Sequence, residues 1–277
     1  MAQASVLPRN WSAYLGLDFL SGTERTLMVP RRRCGPLSVQ RPFYPESDCC
    51  HVYLLHPPGG VVGGDQLDIE LDARPDTRAL VTTPGAAKFY LSAGQTARVG
   101  QAFKVAPRAS LEYLPQENIY FPGARVAAAT EVDLVPDSSL VLWEKHCFGR
   151  PANRERFDHG QVTSSVQLRR DGRLLFVDHQ RIDPVEIERA SGLRGNPVFA
   201  TLLLYSPDLP DDLVDGLRDQ IIPGSLCAVT RPEPQLVVVR YLGQSTAEAD
   251  DCLVRLWQYA RPAINGRDAC APRIWNT

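Results

Sequence analysis

The chain is 277 residues long, 44% hydrophobic and 22% charged, enough apolar material for one large core. A net charge of −2 and a pI near 6.2 exclude the basic footprint of a nucleic-acid binder, and no apolar run reaches the length of a membrane span. Seven scattered cysteines and a start, "MAQASVLPRNWSAYLGLDF", without a charged-then-apolar leader point to free thiols in the cytoplasm.

Arg31-Arg32-Arg33 reads as a solvated strand end. The stretch "HPPGGVVGGD" (His56 to Asp65) packs four glycines into ten positions. A Walker-type loop would close on Lys-Ser/Thr, but Gly64 is followed by Asp65 and Gln66, an acid where the cation belongs. Gly59-Gly60-Val61 also breaks the dinucleotide pattern. The residues Pro57, Pro58, Gly59, Gly60, Gly63 and Gly64 instead describe an extended entry into a tight turn that delivers Asp65.

From there the chain reads as strands. In "QLDIELDA", Leu67, Ile69, Leu71 and Ala73 alternate with Asp68, Glu70 and Asp72, the period of a strand with one wet face. Further strands are expected over 101–105, 131–135, 161–168, 173–182, 199–205 and 235–241. Three segments, "ELDARPDTRALVTTPG", "AFKVAPRASLEYLPQE" and "EVDLVPDSSLVLWEKH", repeat strand, proline turn and strand about Pro75, Pro107 and Pro136. They read either as stacked repeats or as three hairpins of an antiparallel sheet. Either arrangement puts Thr83, Pro115 and Glu144 toward one edge, and Asp171-Gly172 serves a later hairpin. Pro84-Gly85 ends a strand and turns Lys88 and Tyr90 inward or toward a partner.

Two helices are expected toward the C-terminus. One spans about 209–220, with Leu213, Leu217 and Ile221 on one face. The other starts at the capping box Ser245-Thr246-Ala247-Glu248, buries Ala249, Cys252, Leu253, Leu256, Trp257 and Ala260, and is stopped by Pro262. No linker divides the chain, so residues 1–277 form a single domain. The fold class is mainly β, with stacked, partly solenoid-like sheets.

Reactive constellations are missing from the sequence. There is no G-x-S-x-G elbow, no H-E-x-x-H and no paired C-x-x-C, and His146-Cys147 would point to opposite faces of a strand. Glu112, Glu117 and Glu144 could form an acid pair, but nothing adjacent supplies a nucleophile or an oxyanion hole. Cys49-Cys50-His51 and "EKHC" (Glu144 to Cys147) offer soft and imidazole donors suited to a late first-row ion. The alternative for the first is two buried thiols beside a strand-end histidine. The mixture suits recognition better than bond making, so no enzyme is expected.

Six segments in order carry a resemblance: "GPLSVQRPFYPE" (Gly35 to Glu46), "HPPGGVVGGD", "TTPGAAKFY" (Thr82 to Tyr90), "LEYLPQENIYF" (Leu111 to Phe121), "GRPANRERF" (Gly149 to Phe157) and "PRIW" (Pro272 to Trp275). From about Gly35 onward the chain resembles the urease accessory protein family UreD, called UreH in some bacteria. The resemblance implies a β-rich, partly solenoid stack with two helices. It also implies a non-enzymatic maturation factor that binds apo-urease, the helical protein UreF and the GTPase UreG while nickel is loaded. No tightly bound cofactor is implied, only nickel in transit. A conduit would use weak, sequential oxygen donors. Asp65, Glu117, Glu144 and Asp178 are the candidates, with Lys88 as a partner contact and His56 and His146 as transient nickel ligands. A scaffold without a conduit is one rival; a nickel-storing metallochaperone using Cys49, Cys50 and His51 is another.

Overall fold

The computed structural model describes residues 11–276; the expectation about a leader falls in part on residues outside that range. Among the described residues, eighteen strands and three α-helices follow one another. The strands are β1 (Ser12–Ser21), β2 (Thr26–Cys34), β3 (Ser38–Val39), β4 (Cys50–Leu55), β5 (Gln66–Ala73), β6 (Arg78–Thr82), β7 (Ala87–Phe89), β8 (Ala97–Val105) and β9 (Ser110–Tyr113). Then come β10 (Asn118–Tyr120), β11 (Arg125–Leu134), β12 (Ser139–Arg150), β13 (Glu155–Arg156), β14 (Gln161–Arg170), β15 (Arg173–Ile182), β16 (Val198–Tyr205), β17 (Leu226–Glu233) and β18 (Leu236–Gly243). The helices are α1 (Pro184–Glu188), α2 (Leu213–Asp219) and α3 (Thr246–Asn265).

The repeat segments are stacked turns, not antiparallel hairpins. β5 pairs with β8, β8 with β11 and β11 with β14, all parallel, with partners offset by 32, 29 and 36 residues. On the facing side β4, β6, β9 and β12 run parallel in the same way. The result is a β-solenoid of about 4 turns, as expected from the fold class. Its two walls are a seven-stranded and an eleven-stranded sheet. The proline turns set the corner. Asp76 and Arg108 follow Pro75 and Pro107 with positive φ, and Arg108 forks onto the Asp76 carboxylate at 2.7 and 2.8 Å, tying one turn to the next.

Period-2 alternation sends Leu67, Ile69, Leu71 and Ala73 of β5 inward with Phe103, Val105, Val132 and Leu134, forming the core between the walls. A second core lies outside the eleven-stranded sheet, where Val141, Trp143 and Cys147 of β12 meet α2 and α3. β12 therefore feeds both cores, and His146 and Cys147 do face opposite ways, His146 against Tyr120 and Phe199.

The helices depart from expectation at three points. α2 is confined to Leu213–Asp219. A third helix, α1, forms where Asp183 accepts hydrogen bonds from the Val185 and Glu186 amides and Pro184 fills the first helical position. α3 starts at Ser245 as expected but runs through Pro262 to Asn265. Pro262 lies in the last turn, where its missing N–H frees a single carbonyl, and the stop comes from Gly266, whose φ of 65° is left-handed. No helix among the described residues is long and apolar enough to cross a membrane.

Candidate functional site

One level of the solenoid interior is polar. Register aligns Ile69, Gln101, Thr130, Val166 and Asp178 across one wall. On the facing wall it aligns Glu144, Thr201 and Arg240. Asp178 is buried and salt-bridged to Arg240 at 2.7 Å across the gap between the walls. The Thr201 hydroxyl is buried without a protein partner.

Two adjoining cavities open along this level. The larger, about 110 Å³, runs from His56 and Thr83 past Gln116, Asn118 and Gln101 to Glu144. The smaller, about 20 Å³, continues from Gln101, Asn118 and Glu144 to Thr130, Tyr120 and His146. Thr83 and Pro115 lie together at the edge, as the repeat implies, with the Gln116 amide donating to Thr83 Oγ1 at 2.9 Å. Glu144 instead sits within β12, because that strand outlasts its equivalents.

Glu144 is the chemical centre. Its carboxylate accepts from Thr130 Oγ1 at 2.6 Å and Ser164 Oγ at 3.3 Å, and faces His146 Nε2 at 3.4 Å. Among the described residues no lysine or arginine forms an ion pair with it. An inward carboxylate that is 12% exposed and held only by neutral hydroxyls and an imidazole favours a cation. Burial, then the nearby Glu144 charge, pushes the Tyr120 hydroxyl well up, and this protonated hydroxyl shares a 2.9 Å hydrogen bond with His146 Nδ1. At the other end, burial lowers His56 below the ordinary imidazole value, which keeps a lone pair free at neutral pH.

Other expected residues lie elsewhere. Asp65 is buried, but its carboxylate accepts from the Trp11 amide at 2.8 Å and the Val62 amide at 3.0 Å, fixing the turn to β1 rather than lining a cavity. The glycines have steric reasons. A Cβ on Gly60 would meet Tyr90 Cε2 at 2.0 Å, one on Gly63 would meet Ser92 Oγ at 2.2 Å, and Gly59 and Gly64 have positive φ. Lys88 is exposed rather than inward, and Tyr90 covers Gly60 and packs on Phe121. Glu117 is not among the cavity residues; its charge acts on Cys147, on the helix side. Glu112 is the buried partner of Arg261. Gln101, Asn118, Thr130, Thr201 and Arg240 were not singled out by the sequence, since only register shows that they face inward.

The cysteine cluster splits. Cys50 faces the interior core, whereas Cys49 and His51 face outward with Glu46, their ligand atoms within 4.8 Å of one another. Arg261 already holds Glu46 through two hydrogen bonds of 2.6 and 2.8 Å, and burial pushes the Cys49 thiol well up.

Known sequences match the chain along nearly its whole length. A sequence model described as "UreD urease accessory protein" matches residues 12–276, extending the resemblance N-terminal of Gly35. The urease accessory protein UreD of Klebsiella aerogenes is 40% identical over 271 residues, covering 98% of each chain. That of Alcanivorax borkumensis is 42% identical over 257 residues, covering 91% of this chain and 86% of its own. The Aliivibrio fischeri protein is 39% identical along the whole of both chains. These relatives are named as accessory proteins rather than enzymes. With a family match along nearly its whole length, the chain belongs to the UreD urease accessory protein family.

Proposed function

We propose that this chain is a non-enzymatic urease maturation factor that passes nickel through its interior to apo-urease, while bound to UreF and UreG in the cytoplasm. The observation that carries the reading is Glu144, a carboxylate without a cationic side-chain partner where two cavities meet between the sheets. Neutral side chains of Thr83, Gln101, Gln116, Asn118 and Thr130 line those cavities, weak donors that would let an ion leave as readily as it enters. His56 and His146 at the two ends supply transient nitrogen ligands. Asp178 and Arg240 continue the polar level farther along the stack. Asp65 and Lys88 serve the route only indirectly, by shaping its rim and meeting a partner.

The test is Glu144→Gln, which keeps shape and removes charge. The variant is co-expressed with urease and the other accessory proteins, and nickel per urease and ureolysis are measured beside pull-down of the accessory complex. The conduit predicts at least a tenfold loss of activation with intact pull-down, since about 1.4 kcal/mol of barrier is a factor of ten. Full activation would refute it. Under a scaffold without a conduit, activation falls only where pull-down falls. Storage at Cys49, Cys50 and His51 would instead show as stoichiometric nickel on the isolated chain, lost on Cys49→Ser.

A further inference from the structure

Of the seven cysteines, Cys227 on β17 and Cys252 on α3 form the one thiol–thiol contact among the described residues, with sulfurs 3.8 Å apart. They belong to different elements, an edge strand of the eleven-stranded sheet and the helix packed on its outer face. Cys252 is 9% exposed and Cys227 is half-buried, so the pair lies under the surface with one side open. We propose that Cys227 and Cys252 are a peroxide-responsive dithiol that closes to an intramolecular disulfide, stapling β17 to α3.

The geometry asks for little. The sulfurs, 3.8 Å apart, need to close by about 1.8 Å to reach a bond of about 2.05 Å. Reactivity is assigned unequally. The 3.8 Å contact with Cys227 favours the Cys252 thiolate, and nearby Arg255 adds to it against the opposing effect of burial. The same contact and burial push Cys227 up, so it keeps its proton. The other groups close to the pair are Tyr241 and Glu248, whose side chains share a 3.4 Å hydrogen bond. Cys50 and Cys147 are pushed up by burial to about 11 and about 12, which leaves them as poor nucleophiles.

Hydrogen peroxide is the oxidant. The Cys252 sulfur attacks one peroxide oxygen, an S–O bond forms, the O–O bond breaks, and the departing hydroxide takes a proton to become water. The Cys227 sulfur then attacks the sulfenic sulfur. An S–S bond forms, the S–O bond breaks, and a second water leaves with the Cys227 proton. Two thiols and one peroxide give one disulfide and two waters.

The experiment treats the full-length chain, purified with its co-expressed accessory partners, with hydrogen peroxide, and counts thiols on this chain after denaturation. The expected result is a fall from seven thiols to five, reversed by dithiothreitol, with one cross-link between the peptides carrying Cys227 and Cys252. Hydrogen exchange should slow severalfold in β17 and the first half of α3. Cys227→Ser should leave a sulfenic acid on Cys252 that dimedone traps, whereas Cys252→Ser should leave no adduct on Cys227. Seven thiols after treatment, a cross-link between other cysteines, or oxidation confined to exposed Cys34 would overturn the assignment.

Discussion

Arg261→Ala tests what holds α3 to the solenoid. Arg261 is fully buried and donates to Glu112 from Nε at 2.9 Å and from a terminal nitrogen at 2.8 Å. It also bridges Glu46 at 2.6 and 2.8 Å and donates to the Asp268 carbonyl at 2.5 Å. Truncation would leave Glu112, 1% exposed, with the Trp257 indole N–H at 2.6 Å as its remaining partner. Removing one member of a buried pair costs about 3–5 kcal/mol, because the other charge is stranded. For a chain of this size that lowers the unfolding midpoint by roughly 5–9 °C.

Tryptophan fluorescence is a direct readout, since Trp143, Trp257 and Trp275 form one aromatic cluster at the α3 contact. The pH dependence has a definite sign. Burial alone would raise Glu46, but hydrogen bonds from His51 and Arg261 outweigh it and bring the carboxyl down to about 2. A depressed acid stabilises the fold above its unfolded value near 4.5, and that stability drains away as pH falls toward about 2. The midpoint gap between wild type and Arg261→Ala should therefore narrow across that acid window. Equal midpoints at neutral pH, or a gap that widens with acid, would refute the reasoning.

Other expectations are as direct. Gly60→Ala should cost about 1–3 kcal/mol in urea unfolding by driving a methyl into Tyr90, and Tyr90→Ala in the same chain should recover part of it. Asp65→Ala strands the Trp11 and Val62 amides; a loss of about 1–3 kcal/mol and faster amide exchange at Trp11 and Val62 should follow, with the rest of the stack unchanged. Ser164→Ala removes a weak hydroxyl contact to Glu144 at 3.3 Å, and should change urease activation far less than Glu144→Gln does in the same co-expression assay.

Much of the stack was legible because its signals are local. The wet-face alternation of 66–73 and the proline turns at Pro75, Pro107 and Pro136 both survive in the structure. Parallel pairing was not legible, since hairpins and solenoid turns share the same strand–turn–strand text until register is known. Pro262 misled because proline ends helices in general, yet in a final turn it costs only one backbone bond. The turn that delivers Asp65 is legible in the sequence, but not that its oxygens accept from two amides, one of them 54 residues away. Glu144 was legible as an acid near the edge, but its neighbours Gln101, Thr130 and Ser164 are ordinary polar residues whose inward aim depends on pairing. The tie between Arg261 and Glu46 spans 215 residues and leaves no mark in either neighbourhood.

A parallel stack of this kind has two ends, and both are finished by a reversed strand. β2 runs antiparallel to β1 at one end of the seven-stranded wall, and β15 runs antiparallel to β14 at the other, turned by Asp171 and Gly172 with positive φ. Neither offers an incoming copy the parallel template that the inner turns offer each other, and Pro30 and three consecutive arginines further spoil the β2 rim. Among the described residues, the seven-stranded wall thus has the internal logic of a filament, with neither of its edges presenting the parallel template on which one would grow.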